Sequence, residues 1–205
     1  MKRFMYAACS ETEPKFLNNP AVITASYARY EDMILLYFET TGEEIKPEAV
    51  AQLDTSKTFG SETWFRMAEI FHYFEPENDE QWVRKAENKT STILVNKLHY
   101  EKVAGYIFYH FMYQNEYPTG QNKYMSIWNL GNYIFIYSEA PTEPISPEET
   151  AGKYEKKPKH LITWDDFAAL TEFQKPDWGK LMNEHFKPWE DGEQKWVPLT
   201  TNKNS

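Results

Sequence analysis

Two segments of this sequence, residues 32–39 and 132–139, follow the same pattern one hundred positions apart. They read DMILLYFE and NYIFIYSE, so each starts with a turn-forming Asp or Asn and continues as an apolar run of strand length. Each has a tyrosine at its sixth position and closes on a glutamate: Tyr37, Glu39, Tyr137 and Glu139. Such runs of aromatic and β-branched residues are typical of hairpin strands. A period near one hundred residues indicates a duplicated unit rather than a solenoid.

A second feature indicates the same duplication. A pair of tryptophans, eighteen positions apart and with valine after the second, occurs once in each half: Trp64, Trp82, Trp178 and Trp196. The two features together predict a diverged tandem repeat with halves at residues 1–88 and 89–205. The second half contains an insertion or linker at residues 140–160, which is dense in Pro and Glu. In each half we expect a strand, a connection, a hairpin, a helix and a tail.

The fold class that this organisation predicts is α+β. We expect two ferredoxin-like halves whose antiparallel sheets face each other within one chain, in the manner of a dimeric α+β barrel. This arrangement removes exposed strand edges and leaves a ring-lined cavity between the sheets. Residues 64–74, WFRMAEIFHYF, have the spacing of an amphipathic helix that Pro76 ends. Residues 164–173 and 178–186 predict two further short helices in the second half.

Residues 97–139 are the best defined unit of the chain. A strand at 90–97 leads into it, a helix is predicted at 99–116, and two strands at 124–130 and 133–139 follow, joined at Gly-Asn. The order is therefore strand, helix, strand, strand.

Tyr106 and His110 lie one turn apart on the apolar face of the predicted helix. An imidazole titrates near neutral pH and a phenol can relay a proton, so the pair has the chemistry of an acid and base facing a ligand. The alternative is a hydrogen-bonded core histidine, because aromatic residues surround this helix on all sides.

Composition excludes several classes of partner. Of the 205 residues, 22 are Lys or Arg and 31 are Asp or Glu, and without a basic patch we expect neither nucleic acid nor membrane as a partner. The longest apolar runs are too short for a membrane helix or a signal peptide. The single Cys9 excludes an intrachain disulfide, so we expect a reducing, cytoplasmic location. Because neither metal-ligand spacing nor a Gly-rich phosphate loop occurs, we expect no metal and no cofactor.

The order of motifs resembles the L-rhamnose mutarotase family. Strand 90–97, the Tyr106-x-x-x-His110 helix, the hairpin YMSIWNL-GN-YIFIYSE and then Trp178-Gly-Lys-Leu-Met look like that family's strand, Tyr/His helix, hairpin and tryptophan helix. The resemblance implies a dimeric α+β barrel that interconverts sugar anomers without a cofactor. It also implies that His110 and Tyr106 are catalytic and that Tyr124 and Trp178 line the sugar pocket.

Further candidate ligand-binding residues follow from the sequence pattern. Trp128, in the hairpin, offers a flat apolar surface on which a sugar ring can stack. Tyr27 and Arg29 alternate onto one face of a predicted strand at 22–30. Arg29 is a candidate anchor for a carboxylate or for sugar hydroxyls, and its alternative is a salt bridge to a nearby glutamate, Glu31 or Glu39.

Three functions remain open from the sequence. The first is a cofactor-free sugar mutarotase or isomerase with His110 as the main acid and base. The second is a non-catalytic ligand-binding or protein-interaction module on the same barrel. The third is a cofactor-free monooxygenase or a haem-handling enzyme, because a fold does not fix a function. In each we expect a small-molecule ligand, and either a monomer with a pseudo-twofold axis or a homodimer.

Overall fold

The computed structural model describes residues 1–42, 44–58, 61–114, 119–151, 186–190 and 194–201. These residues form a mostly β protein with one long helix. The strands are β1 (Lys2–Cys9), β2 (Lys15–Phe16), β3 (Val22–Tyr30), β4 (Met33–Thr40), β5 (Ala51–Gln52), β6 (Phe65–Arg66), β7 (Ala68–His72), β8 (Thr90–Lys97), β9 (Ser126–Leu130), β10 (Tyr133–Ala140), β11 (Lys195–Pro198) and β12 (Thr200–Thr201). The helices are α1 (Val103–Gln114) and α2 (Pro147–Thr150), with 3-10 turns at Pro47–Ala49, Glu80–Trp82 and Tyr100–Lys102.

Two five-stranded antiparallel sheets have the same internal order, which suggests two halves. The first sheet runs β12-β3-β4-β1-β6 and the second runs β11-β8-β10-β9-β7. In each sheet the last strand of a hairpin, β4 or β10, lies at the centre, paired with its hairpin partner on one side and with the first strand of its half on the other. The hairpin strands predicted at 22–30, 33–39 and 133–139 and the strand at 90–97 are confirmed.

Strand register makes the correspondence between the halves residue by residue. Tyr37 at the centre of the first sheet lies opposite Met5 and Ser26. Tyr137 at the centre of the second sheet lies opposite Ile93 and Ser126. The repeated hairpin of the sequence therefore marks equivalent positions in the two sheets.

The two sheets are joined at both edges by chain segments that belong to both. Strand β6 pairs with β1 in the first sheet, and after Met67 the chain continues as β7, which pairs with β9 in the second. Strand β11 pairs with β8 in the second sheet, and after Leu199 the chain continues as β12 beside β3 in the first. Each crossing is itself hydrogen-bonded, since the Met67 N–H donates to Met5 at 2.9 Å and the Leu199 N–H to Ser91 at 3.0 Å.

The prediction of a helix at residues 64–74 is wrong, because this segment is the first crossing strand. Its buried residues, Trp64, Met67, Phe71 and Phe74, do recur at helical spacing. That spacing arises because the chain changes sheets after Met67 and a bulge shifts the register between Glu69 and Phe71. A strand that changes sheets in this way imitates the period of a helix.

The structure does not place Trp82 and Trp196, the second members of the tryptophan pairs, at equivalent positions. Arg66 lies opposite Tyr6, the residue after Met5, and Trp196 lies opposite Leu94, the residue after Ile93. Met5 and Ile93 are themselves equivalent, because each lies opposite a central tyrosine. The counterpart of Trp196 is therefore Arg66, not Trp82. The predicted helices at 164–173 and 178–186, with Trp178, lie outside the described residues.

Three layers of side chains hold the sheets. Between the sheets, apolar side chains from both pack on one another, with the rings of Tyr37 and Tyr137 stacked at a centroid distance of 3.8 Å. The outer face of the first sheet packs against Val50, Ala51 and Trp64, and the outer face of the second packs against α1. No helix in the described ranges is long and apolar enough to cross a membrane.

Candidate ligand-binding site

A buried carboxylate pair lies where the two central strands end. Glu39 and Glu139 each follow the central tyrosine by two residues, so both side chains face the space between the sheets. The Tyr37 hydroxyl donates to Glu39 Oε1 and the Tyr137 hydroxyl to Glu139 Oε1, each at 2.6 Å. Both glutamates are almost inaccessible to solvent. Since buried carboxylates are costly unless paired, these two require a cation.

Arg84 is that cation, and it bridges the two halves. Its Nη1 and Nη2 donate to the two oxygens of Glu39, both at 2.6 Å, in a bidentate pair. Its Nη2 also donates to Glu139 Oε1 at 2.9 Å and its Nε to Oε2 at 3.3 Å. The indole N–H of Trp82 adds a bond to Glu39 Oε2 at 2.7 Å. The guanidinium stacks over the ring of Tyr124 at 4.1 Å.

Burial and pairing act in opposite directions on these groups. Burial raises the pKa of the Glu39 carboxyl, but the charge of Arg84 and the donated hydrogen bonds outweigh it, so this pKa lies below its ordinary value. Burial lowers the pKa of the Arg84 guanidinium, yet the two glutamates raise it above its ordinary value. Burial and the neighbouring glutamates raise the pKa of Tyr37 and Tyr137 well above normal, so both phenols remain protonated donors.

A pocket of about 800 Å³ opens beside this network. Its lining includes side chains from the start of β3, from the loop before β8 and from β12: Ile23, Thr24, Trp82, Arg84, Lys89 and Thr201. We call it the open pocket. The Lys89 ammonium lies between the pocket and the network, 3.4 Å from Thr24 Oγ1 and 3.5 Å from Glu139 Oε1.

The corresponding place in the second half is filled by side chains. Thr24 and Tyr124 each lie two residues before the serine opposite a central tyrosine, so they are counterparts. Tyr124 is buried in a cluster with Phe74, Trp82 and Ile145, which we call the filled site. Its hydroxyl donates to the Val83 carbonyl at 3.0 Å, and its ring meets Trp82 edge-on at 4.8 Å.

The predicted catalytic residues lie together but away from the open pocket. Tyr106 and His110 are buried between α1 and the outer face of the second sheet, with ring centroids 4.0 Å apart. His110 Nδ1 is 2.8 Å from the Tyr106 carbonyl. Burial lowers the pKa of His110 to about 4, against the opposing effect of that carbonyl. Burial raises the pKa of Tyr106.

The predicted ligand-binding residues are spread over four places. Trp128 is buried between the sheets and donates to Ser126 Oγ at 2.8 Å, and Tyr124 is in the filled site. Tyr27 lies on the outer face of the first sheet, where its hydroxyl donates to Glu13 at 2.8 Å. Arg29 donates to the carbonyls of residues 10 and 11, at 2.7 and 3.3 Å, rather than to either glutamate considered for it. Trp178 lies outside the described residues.

Sequence reasoning missed the four charged groups of the network. The sequence shows Glu39 and Glu139 as the matched ends of the repeated segments. Residues two apart in a strand share a face, so a glutamate two positions after a buried tyrosine indicates a buried carboxylate. Arg84 and Lys89 come from an irregular loop and carry no local signal. Within the described ranges, no group of three His, Cys, Asp or Glu side chains is arranged to hold a metal ion.

Comparisons of the chain with protein-family models, with curated proteins and with solved structures find no match.

Proposed function

We propose that the protein binds a small hydroxyl-bearing organic molecule, with sugars as the first class to test, in the open pocket. The observation that carries this proposal is the asymmetry between the halves. One end position is an open pocket beside a rigid charged network, while its counterpart is packed with Tyr124. A duplicated scaffold that keeps one of two equivalent places open and fills the other is organised around a single binding site.

The chemistry of the lining supports a hydroxylated ligand. Trp82 contributes an apolar indole, and the threonines at positions 24, 41, 90 and 201 contribute hydroxyls that both donate and accept. Asn88 and Asp79 add an amide and a carboxylate. An aromatic surface with convergent polar groups, in a volume of several hundred Å³, is the usual composition of a small-molecule site.

We also propose that the two sheets form an intrachain α+β barrel of two ferredoxin-like halves, related to the L-rhamnose mutarotases. The support is the strand order, with the fourth, first, third and second strands of each half side by side, and the crossing strands that join both edges. In the second half, α1 follows the first strand, where a ferredoxin-like unit has its first helix.

Sugar mutarotation is the catalytic version of this proposal. The observation that favours it is the pairing of Tyr106 with His110, whose ring centroids lie 4.0 Å apart. Burial lowers the pKa of His110 to about 4, so at neutral pH the imidazole is a neutral base and a poor acid. A sugar would reach that imidazole only after α1 moved, since His110 is buried. Binding without catalysis needs no such movement and is therefore our primary proposal.

Saturation-transfer NMR on a panel of free sugars tests binding, and the exchange rate between α and β anomers in the same samples tests mutarotation. Thr24→Tyr, which copies the filled site, and Thr41→Trp, at an exposed position of the lining, should each abolish the saturation transfer. Thr119→Tyr, on an exposed loop outside the lining, should leave it unchanged. Binding that survives both pocket-filling variants, or no binding by any sugar, would contradict the proposal.

A further inference from the structure

The two cations at the open pocket are engaged to very different degrees. Four hydrogen bonds at 2.6 to 3.3 Å tie Arg84 to the two glutamates, so its charge is committed to the network. Among the residues that the structure describes, Lys89 has two polar contacts, at 3.4 and 3.5 Å, close to the outer limit for a hydrogen bond. Lys89 is therefore the cation of this pocket that can still pair with a ligand.

Lys89 is also placed to do so. Its side chain lines the pocket and retains 18% of its exposure, so a ligand can reach the ammonium without displacing protein. An ammonium has three donors, and the two contacts use one each. Glu139 and Thr24 hold the amine from the network side, and the remaining N–H is left for a group in the pocket.

We propose that the ligand of the open pocket carries a carboxylate, that Lys89 binds this carboxylate, and that Thr24 contributes a hydroxyl beside it. This inference rests on the proposed function, since it names the ligand class of the same site. Glu139 acts as a positioning residue that keeps the Lys89 ammonium at the pocket wall.

A carboxylate fits this site better than a phosphate or an amine does. Phosphate sites combine several cations, backbone N–H groups or a helix N-terminus, whereas a single, partly exposed ammonium suits a monoanion. An amine would compete with Lys89 for Glu139, although Arg84 and Lys89 together already balance the charges of the two glutamates. Asp79 and Glu87 also line the pocket, but both are exposed, so solvent and salt screen their repulsion of an anion.

The test compares an acid with its neutral parent. D-Glucuronate and D-glucose are titrated against the wild-type protein, Lys89→Met, Lys89→Arg and the control Lys85→Met, which removes a neighbouring exposed lysine outside the lining. We expect wild type and Lys85→Met to bind glucuronate at least tenfold more tightly than glucose. Lys89→Met should lose this preference and bind the two sugars with similar affinity, and Lys89→Arg should retain most of it.

A measurement on the wild-type protein keeps the inference testable if Lys89→Met does not fold. Reductive ¹³C-methylation labels the lysines, and the Lys89 signal should shift on addition of glucuronate but not of glucose. Equal affinity for the two sugars, or a glucuronate preference that survives in Lys89→Met, would overturn the carboxylate inference and leave the binding proposal intact. No binding by either sugar, with no signal shift, would overturn both.

Discussion

Thr24 and Tyr124 occupy corresponding positions in the two sheets, yet one borders a pocket of about 800 Å³ and the other is packed among rings. The central strands beneath them are alike, since both carry a tyrosine that donates to a glutamate two residues on at 2.6 Å. The difference lies in what covers the end of each strand. In the second half, Tyr124 and Ile145 fill the space, whereas in the first half a threonine leaves it open.

The comparison teaches that the two sheets share one framework and differ in the side chains that close its ends. Arg84 joins the two glutamates and belongs to neither strand, so one side chain serves both halves. Trp82 faces both places, because it stacks on Phe74 in the filled site and also lines the open pocket. The filled site thus forms one wall of the pocket, and its packing keeps the pocket's shape.

The largest effect is expected from removing Arg84, which pairs with a glutamate of each sheet. Arg84→Met removes the cation that the buried carboxylates of Glu39 and Glu139 share. Losing one partner of a buried ion pair costs about 3–5 kcal/mol. We expect that loss in the free energy of unfolding, measured by urea denaturation at pH 7. The exposed neighbour change Lys85→Met should stay within about 0.5 kcal/mol.

The stability deficit of Arg84→Met should also depend on pH. In the wild type, the lowered pKa of Glu39 gives stability that is present above the ordinary carboxyl pKa and is lost as the pH falls. In Arg84→Met the cation that lowers this pKa is gone, so burial raises it and the carboxyl takes up a proton. The deficit should therefore shrink between pH 7 and pH 5. A deficit below about 1 kcal/mol at pH 7 would show that Arg84 is not the bridge.

The second change opens the filled site. Tyr124→Thr gives the second half the residue of the first, and removing a buried aromatic side chain costs about 3 kcal/mol. It also removes the ring beneath Arg84 and the bond to the Val83 carbonyl. Urea denaturation measures the loss, and Tyr100→Thr, at a residue that is 75% exposed, is the matched control. Equal losses in the two variants would mean that the filled site contributes no packing energy.

The hairpins could be predicted because each is an apolar run bounded by turn residues, and the repeat showed that the hairpins correspond. The crossing strand at 64–74 could not, since its burial period reflects a change of sheet that depends on the whole fold. Tyr106 and His110 were placed together because i and i+4 meet on any helix. The helical period does not say which face of the sheet the helix covers. Because α1 covers the outer face of the second sheet, Tyr106 and His110 lie outside the open pocket. Arg84 required a long-range contact that no local pattern reports.

His110 lies outside both the open pocket and the filled site, so we expect its replacement to change stability without changing ligand binding. Its folded pKa of about 4 lies below the ordinary value of 6.5, so on acidification the unfolded chain takes up the proton first. Wild-type stability should thus fall by about 2 kcal/mol from this source between pH 7 and pH 5. In His110→Gln, whose amide can still meet the Tyr106 carbonyl, that part of the fall should vanish. Identical pH profiles would contradict the buried, neutral imidazole, and a changed sugar affinity would place His110 in the binding site.

The smallest effect on stability is expected for Lys89, the residue to which we assign binding of the ligand's carboxylate. Lys89→Met removes contacts of 3.4 and 3.5 Å from a side chain that keeps 18% of its exposure. The contacts are long and the lysine is partly solvated, so we expect a loss of about 1 kcal/mol, the upper end for solvated ion pairs. Arg84 holds Glu139 in either case, so this carboxylate stays paired when Lys89 is lost. Urea denaturation of Lys89→Met beside Arg84→Met measures the contrast directly. A loss for Lys89→Met as large as that for Arg84→Met would make Lys89 part of the structural network, with no ammonium to spare for a ligand.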